Sequence, residues 1–118
     1  MTSKIFFLPV EERPKKYPPL INFKGRFWHT GIILDDKVYE CFNYGKNSIS
    51  NLDKLKNVEF SKAIYLNNVN VDENKIKSEI NSGTDCAEYV ARCTRLSKLE
   101  GKDKGNLYPE DIFKLLNK

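Results

Sequence analysis

The stretch that decides the fold is FKGRFWHTGIILDDKVYECF, residues 23–42. Aromatic and β-branched residues run from Phe23 to Leu34 and predict a strand, because such side chains suit the pleated, half-buried surface of a sheet. Asp35-Asp36 then predicts a two-residue turn, and Val38 to Phe42 is predicted to return as the partner strand. The segment should therefore form an antiparallel β-hairpin.

The register of this hairpin follows from the length of its turn. Pairing outward from a two-residue turn sets His29 opposite Phe42. Because side chains alternate between the two faces of a strand, one face should carry six residues: His29, Gly31, Ile33, Val38, Glu40 and Phe42. Glu40 is then diagonal to His29, at roughly 7–8 Å between Cα atoms, which a long carboxylate can span. Gly31 between them should leave room above the sheet.

The regions that flank the hairpin are predicted to add strands and loops. Ile5–Leu8 and Val58–Leu66 have the composition of strands, and Asn67-Asn68 is a turn signal. Four prolines and several charges make Pro9–Pro19 an extended surface loop. The polar segment Tyr44–Asn57 is also predicted to be mainly loop, with a turn of helix near Leu52–Lys56.

The longer helices are predicted in the second half of the chain. Asp72 can cap the first one, and Thr84 or Asp85 can cap a second that begins at Cys86 and runs to about Leu99. Pro109 suits the first position of a short closing helix. Strands followed by helices indicate an α+β domain, with a small antiparallel sheet packed by helices on one face.

Length and composition narrow the class of protein. The 118 residues suit a single domain spanning 1–118, and the 40% hydrophobic and 31% charged residues are typical of globular chains. The net charge of +4 comes from scattered basic residues, so we expect no nucleic-acid partner. No apolar run has membrane-spanning length. The three cysteines cannot all pair, and with no signal peptide they indicate reduced thiols and a cytoplasmic location. We expect neither a cofactor nor a metal site.

Cys86 and His29, the one histidine of the chain, are the residues with catalytic potential. A thiolate becomes a strong nucleophile when a helix N-terminus or an imidazole lowers its pKa, and Cys86 begins a predicted helix. A carboxylate such as Glu40 could orient the imidazole. Cys41 should lie on the face away from His29, and Cys93 two helical turns beyond Cys86. The alternative is that Cys86 and His29 are ordinary buried residues that only pack.

Two segments resemble a known family. Trp28–Leu34 followed by Val38-Tyr39-Glu40 resembles the His-x-Gly strand and the next strand of NlpC-type papain-like cysteine hydrolases, and Asp85–Val90 resembles their nucleophile helix. The histidine precedes the cysteine, as in the circularly permuted branch, which includes the YiiX-like and lecithin:retinol acyltransferase-like proteins. Tyr108–Asp111 resembles the closing segment of YiiX-like domains, so the resemblance spans about residues 26–116.

The resemblance implies a permuted papain-like fold with Cys86 as nucleophile, His29 as base and Glu40 as orienting acid. The expected function is a cysteine hydrolase that cleaves an amide bond, in a peptide or a cell-wall-type link, through an acyl-enzyme. An ester- or lipid-directed acyltransferase or thioesterase is an alternative, as is a catalytically silent binding module on the same fold. The expected partner is a peptide or acyl substrate, and the sequence does not specify the oligomeric state.

Overall fold

The computed structural model describes residues 2–13, 25–42, 47–56, 60–81, 84–94 and 107–117. Five strands form one antiparallel sheet in the order β4-β3-β2-β1-β5. The strands are β1 Thr2–Pro9, β2 Phe27–Leu34, β3 Lys37–Glu40, β4 Ser48–Asn51 and β5 Ile64–Asn70. The helices are α1 Glu73–Glu79, α2 Cys86–Thr94 and α3 Pro109–Leu116. The predicted α+β class, with strands before helices, is confirmed.

The predicted hairpin is present, and the three pairs nearest its turn have the predicted register, although β3 ends at Glu40 instead of Phe42. Strands β2 and β3 pair Ile32 with Tyr39, Ile33 with Val38 and Leu34 with Lys37. Asp35 makes the turn in the left-handed region, at a φ of 54°. Aspartate tolerates this conformation because its short polar side chain can satisfy nearby backbone groups.

The sheet separates two hydrophobic clusters. The larger one contains Ile32 and Tyr39 together with buried residues from all three helices, such as Tyr89 of α2 and Ile112 of α3. The smaller one lies on the opposite face and contains six buried residues: Phe6, Leu8, Trp28, Ile33, Val38 and Phe60. The helices therefore lie on one face, as predicted, while the 3-10 helix Leu52–Lys56 contributes Leu55 to the other face.

The start of β2 is irregular beside His29. Strand β1 pairs Leu8 with His29 but Pro9 with Phe27, so Trp28 is an extra residue on β2 at a register shift. Such a bulge breaks the alternation of side chains and re-aims the residues next to it. Phe27 consequently packs in the larger cluster and Trp28 in the smaller one.

Three element predictions were wrong in detail. The segment predicted as loop contains β4, whose single large apolar residue, Ile49, is 54% exposed and produces no strand pattern. The third predicted strand lies later in the chain, at β5. Asn67-Asn68 is part of β5 instead of ending a strand, and Asn68 has a φ of 57° where pairing with β1 shifts register. Asn67-Asn68 thus does indicate left-handed backbone, but in this fold that conformation forms a bulge within β5 instead of a turn that ends the strand.

Gly31 has a packing role that differs from the one expected. The Phe6 ring fills the space above it, and a Cβ at Gly31 would lie 2.5 Å from Phe6 Cζ and 2.8 Å from the carbonyl oxygen of Tyr39. Phe6 is fully buried. Glycine is therefore required here because an aromatic ring approaches the backbone, and the room above the sheet is occupied.

The predicted helix starts are confirmed. The Asp72 carboxylate accepts hydrogen bonds from the amides of Asn74 and Lys75 at the start of α1, and Pro109 is the first residue of α3. The predicted continuation of α2 beyond Thr94 lies outside the described residues, as does most of the predicted loop before Pro19. None of the helices in the described ranges is long and apolar enough to cross a membrane.

Candidate active site

Cys86 is the first residue of α2. Asp85 caps this helix: its carboxylate accepts a hydrogen bond from the Glu88 amide at 2.9 Å, and its carbonyl accepts one from Tyr89 at 3.0 Å. The first amides of an α-helix have no acceptor within the helix, and its macrodipole is positive at this end. The thiol therefore lies where a negative charge is stabilised. Cys86 is partly exposed, whereas Asp85 and Ala87 on either side are buried.

The start of α2 is held in place by the core. Tyr89, one turn after Cys86, is fully buried, and its hydroxyl donates a 2.7 Å hydrogen bond to the carbonyl of Ile76 in α1. Val90 and Cys93 continue the same buried stripe. The predicted stripe of Cys86, Tyr89, Val90 and Cys93 thus packs the helix against the core, and of these four residues only Cys86 is partly exposed.

His29 links the thiol to a carboxylate. Its Nε2 lies 3.0 Å from Glu40 Oε1, and both side chains are 2% exposed. The Cys86 side chain is near enough to His29 to raise the pKa of the imidazole, through hydrogen bonding and negative charge. The hairpin register thus brings Glu40 to His29, and the packing of α2 brings Cys86 to the same imidazole.

Aromatic rings fix the plane of the imidazole. Phe42 stacks on His29 with ring centroids 4.4 Å apart and an interplanar angle of 7°. Trp28 lies at 5.2 Å and 27°, and Phe6 at 5.9 Å and 59°. The electron-rich faces of such rings favour a cation between them. The surroundings therefore both orient His29 and suit its protonated form.

Two residues that the sequence analysis missed complete the carboxylate's surroundings. Lys54 Nζ donates a hydrogen bond to Glu40 Oε2, and Ser48 Oγ donates another to the same oxygen at 3.3 Å. Both come from the segment predicted as loop: Ser48 begins β4, opposite Glu40 of β3, and Lys54 lies in the following 3-10 helix. A single lysine in a polar segment has no periodicity that could have identified it.

The contacts shift the pKa values of His29 and Glu40 in opposite directions. Burial alone would lower the pKa of His29, but hydrogen bonds with Cys86 and Glu40 and the negative charges of both raise it to about 9. Burial alone would raise the pKa of Glu40, but hydrogen bonds and positive charges from His29 and Lys54 lower it to about 2. Glu40 is therefore an anion and His29 a cation at neutral pH.

The other two thiols are separate from this arrangement. Cys41 and Cys93 are fully buried, and all three cysteines are free, as predicted. Burial raises the pKa of Cys41 and of Cys93 to about 12 each. Cys41 Sγ lies 3.5 Å from the carbonyl oxygen of Ile80, within the larger cluster. Neither thiol is therefore suited to nucleophilic chemistry.

No group of three or more His, Cys, Asp or Glu residues that could hold a metal ion occurs in the part of the chain that the structure describes. Compared with models of known families, with curated proteins and with solved structures, the chain gives no significant match. The functional argument consequently rests on the chemistry of Cys86, His29 and Glu40.

Proposed function

We propose that the protein is a cysteine hydrolase of the papain-like type that cleaves an amide bond through an acyl-enzyme on Cys86. The observation that carries this proposal is the buried pair of His29 and Glu40, 3.0 Å apart, with the Cys86 side chain near enough to raise the pKa of the imidazole. A nucleophile, a base and a group that orients the base are the minimum set for covalent acyl transfer. The resemblance of these segments to permuted NlpC-type proteins implies the same roles.

The hydrogen bonds define the protonation state from which the reaction starts. Because Glu40 is an anion, it can only accept a hydrogen bond, so Nε2 of His29 carries a proton. Nδ1 is then the ring nitrogen that remains for the Cys86 thiol. The imidazolium form of His29 carries its second proton on Nδ1, and when the Cys86 thiol is the source of that proton the result is a thiolate beside an imidazolium, the ion pair from which cysteine hydrolases attack.

The reaction then balances with these three side chains. The thiolate of Cys86 attacks the carbonyl carbon of the substrate and forms a tetrahedral intermediate. As the C–N bond breaks, the His29 imidazolium donates its Nδ1 proton to the departing amine, leaving a thioester on Cys86. Water, deprotonated by the now neutral imidazole, attacks the thioester and releases the carboxylic acid and the thiol.

The start of α2 supplies a place for the oxyanion of the intermediate. The Cys86 amide is the first of the helix, where backbone N–H groups and the macrodipole are directed at an incoming negative charge. His29, as an imidazolium, can donate the proton that the amine leaving group of an amide requires. An amine leaving group must be protonated as it departs, whereas an alkoxide or phenolate leaves with less assistance.

Selective alkylation of Cys86 tests the proposal without knowledge of the natural substrate. The full chain is treated with iodoacetamide at pH 6, and the modified cysteine is identified by peptide mass spectrometry. We expect Cys86 to react at least about 100-fold faster than Cys41 or Cys93, since only the thiolate reacts and the other two thiols are buried. Equal rates at all three thiols, or no reaction at Cys86, would reject the proposal.

A generic acyl donor tests covalent turnover. With 4-nitrophenyl acetate, we expect a burst of one 4-nitrophenolate per chain and one acetyl group on Cys86. The Cys41→Ser variant serves as the matched control, because it removes a buried thiol outside the site and should give the same burst. Acetylation of lysines alone, with Cys86 unmodified, would contradict an acyl-enzyme.

A further inference from the structure

The carboxylate of Glu40 uses both of its oxygens. Oε1 faces His29, while Oε2 accepts hydrogen bonds from Lys54 and Ser48. Glu40 is 1% exposed, and the Lys54 side chain is 23% exposed. Lys54 is therefore a partly buried cation on the side of the carboxylate away from the imidazole.

We propose that Lys54 is a fourth functional member of the site, a positioning residue that acts through Glu40 and balances the charge of the nucleophile, base and carboxylate. Assigning those charges rests on the function proposed above. A thiolate, an imidazolium and a carboxylate together carry one excess negative charge. The ammonium group of Lys54 makes the set neutral, which matters because an uncompensated charge is costly in a buried site.

Charge balance has a consequence for proton transfer. Without Lys54 the site would be net negative, and both Glu40 and His29 would hold protons more tightly. His29 would then be a poorer acid toward the leaving group. Lys54 donates its hydrogen bond to Glu40, so its positive charge keeps the carboxylate ionised. His29 remains the group that exchanges a proton with the Cys86 thiol.

Other charged groups near this site belong to several elements. Cys86 of α2 acts on His29 directly, and the preceding residue, Asp85, is buried and caps the helix. From the segment after β1, the Arg13 guanidinium carbon lies 5.7 Å from the centroid of the Trp28 ring. Among the described residues, Lys54 is the cation besides His29 that has a hydrogen bond to the Glu40 carboxylate.

Titration of the imidazole by NMR tests this role directly. His29 is the one histidine in the chain, so its ring protons report a single pKa without assignment by mutation. We expect Lys54→Met to raise the pKa of His29 by roughly half a unit to one unit, since a nearby cation is removed. Lys54→Arg keeps the charge and should leave the pKa close to that of the wild type.

Three further variants separate charge from packing. Lys54→Gln keeps a hydrogen-bond donor without charge and should raise the pKa of His29 as Lys54→Met does. It also replaces Lys54→Met if that variant fails to fold. Ser48→Ala removes a neutral bond to the same oxygen and should shift the pKa far less. Lys56→Met is the surface control, because the Lys56 side chain is 83% exposed and pairs with Asp53.

The titration of His29 separates the role of Lys54 from the hydrolase activity proposed above. The titration needs no reactive thiol, so the same shift is expected when Lys54→Met is combined with Cys86→Ala. An unchanged pKa in Lys54→Met and Lys54→Gln, or a lowered one, would overturn the role of Lys54 even if Cys86 forms an acyl-enzyme. Conversely, a raised pKa in a protein whose Cys86 is inert would support the charge role and reject the hydrolase.

Discussion

Phe42 lies flat against His29, with ring centroids 4.4 Å apart and an angle of 7° between the planes. Phe42 lies two residues beyond the end of β3, and its amide donates a 2.9 Å hydrogen bond to the side chain of Asn47. The backbone that carries the stacked ring is therefore held by β3 on its N-terminal side and by the hydrogen bond to Asn47. It restricts the imidazole to the plane in which one nitrogen faces Glu40.

Replacing Phe42 tests the value of this stacking. We expect Phe42→Leu to lower the pKa of His29 by a few tenths of a unit, because an aromatic face that favours the imidazolium is lost. The free energy of unfolding should fall by about 1 kcal/mol. NMR titration and urea denaturation measure the two effects. Phe42→Tyr keeps the ring and should retain both values, and an equal loss in Phe42→Tyr would contradict a stacking role.

Stability should depend on pH through His29 and Glu40. The folded His29 has a pKa of about 9 against an ordinary value of 6.5, so it stabilises the fold fully below pH 6.5, and this contribution is lost as pH rises through 9. The folded Glu40 has a pKa of about 2 against 4.5, so its contribution is present above pH 4.5 and is lost as pH falls through 2. These two residues should give maximal stability between pH 4.5 and 6.5.

Urea denaturation from pH 4 to 10 measures this dependence. The His29→Gln variant should lose the decline between pH 6.5 and 9, since it has no proton to release there. Wild-type stability that is flat or rising across that interval would show that the imidazole is neutral in the folded protein.

The three proposed catalytic residues should differ in the severity of their loss. Cys86→Ala should abolish the acyl-enzyme, and His29→Ala should be nearly as severe because the chain has no second imidazole. Glu40→Gln should be milder: it keeps a hydrogen-bond acceptor for the ring but removes the charge that stabilises the imidazolium. Burst kinetics with 4-nitrophenyl acetate measure all three.

Combining substitutions provides the internal check on these roles. Cys86→Ala with His29→Ala should cost little more than Cys86→Ala alone, because residues that act as a unit are not additive. Losses that simply multiply would contradict a shared mechanism. Cys41→Ser should keep the wild-type rate.

Gly31→Ala should destabilise the fold by about 2–3 kcal/mol, because a methyl group in a filled core forces neighbours to move. The clash is with the Phe6 ring, 2.5 Å from the added Cβ, and with the Tyr39 carbonyl at 2.8 Å. Phe6→Leu in the same chain should recover part of the loss by withdrawing the ring. Thermal denaturation of the single and double variants measures the coupling, and strictly additive losses would contradict the contact.

Much of the fold could be predicted because its signals are local. Two aspartates at the turn and the alternation of side chains determine the β2–β3 register, and that register alone predicts that Glu40 and His29 share a face. Asp72 and Pro109 mark helix starts because side-chain capping and a fixed φ act within one turn of the chain. Asp85 likewise marks the helix that begins with Cys86.

The remaining features depend on contacts between distant segments. β4 has one large apolar residue and is a strand because β3 offers an edge to pair with, and Asn68 adopts a left-handed conformation within β5 because β1 continues past it. Phe6 fills the space above Gly31 since β1 lies beside β2 in the sheet.

The same division applies to the site. The sequence by itself determined which residues could be nucleophile, base and acid, since a cysteine at a helix start and a histidine and a glutamate on one strand face are local properties. Only the tertiary structure brought the Cys86 side chain to His29 and Lys54 to Glu40. Those contacts come from packing α2 against the sheet and β4 along β3, where burial and pairing between distant segments outweigh any local preference.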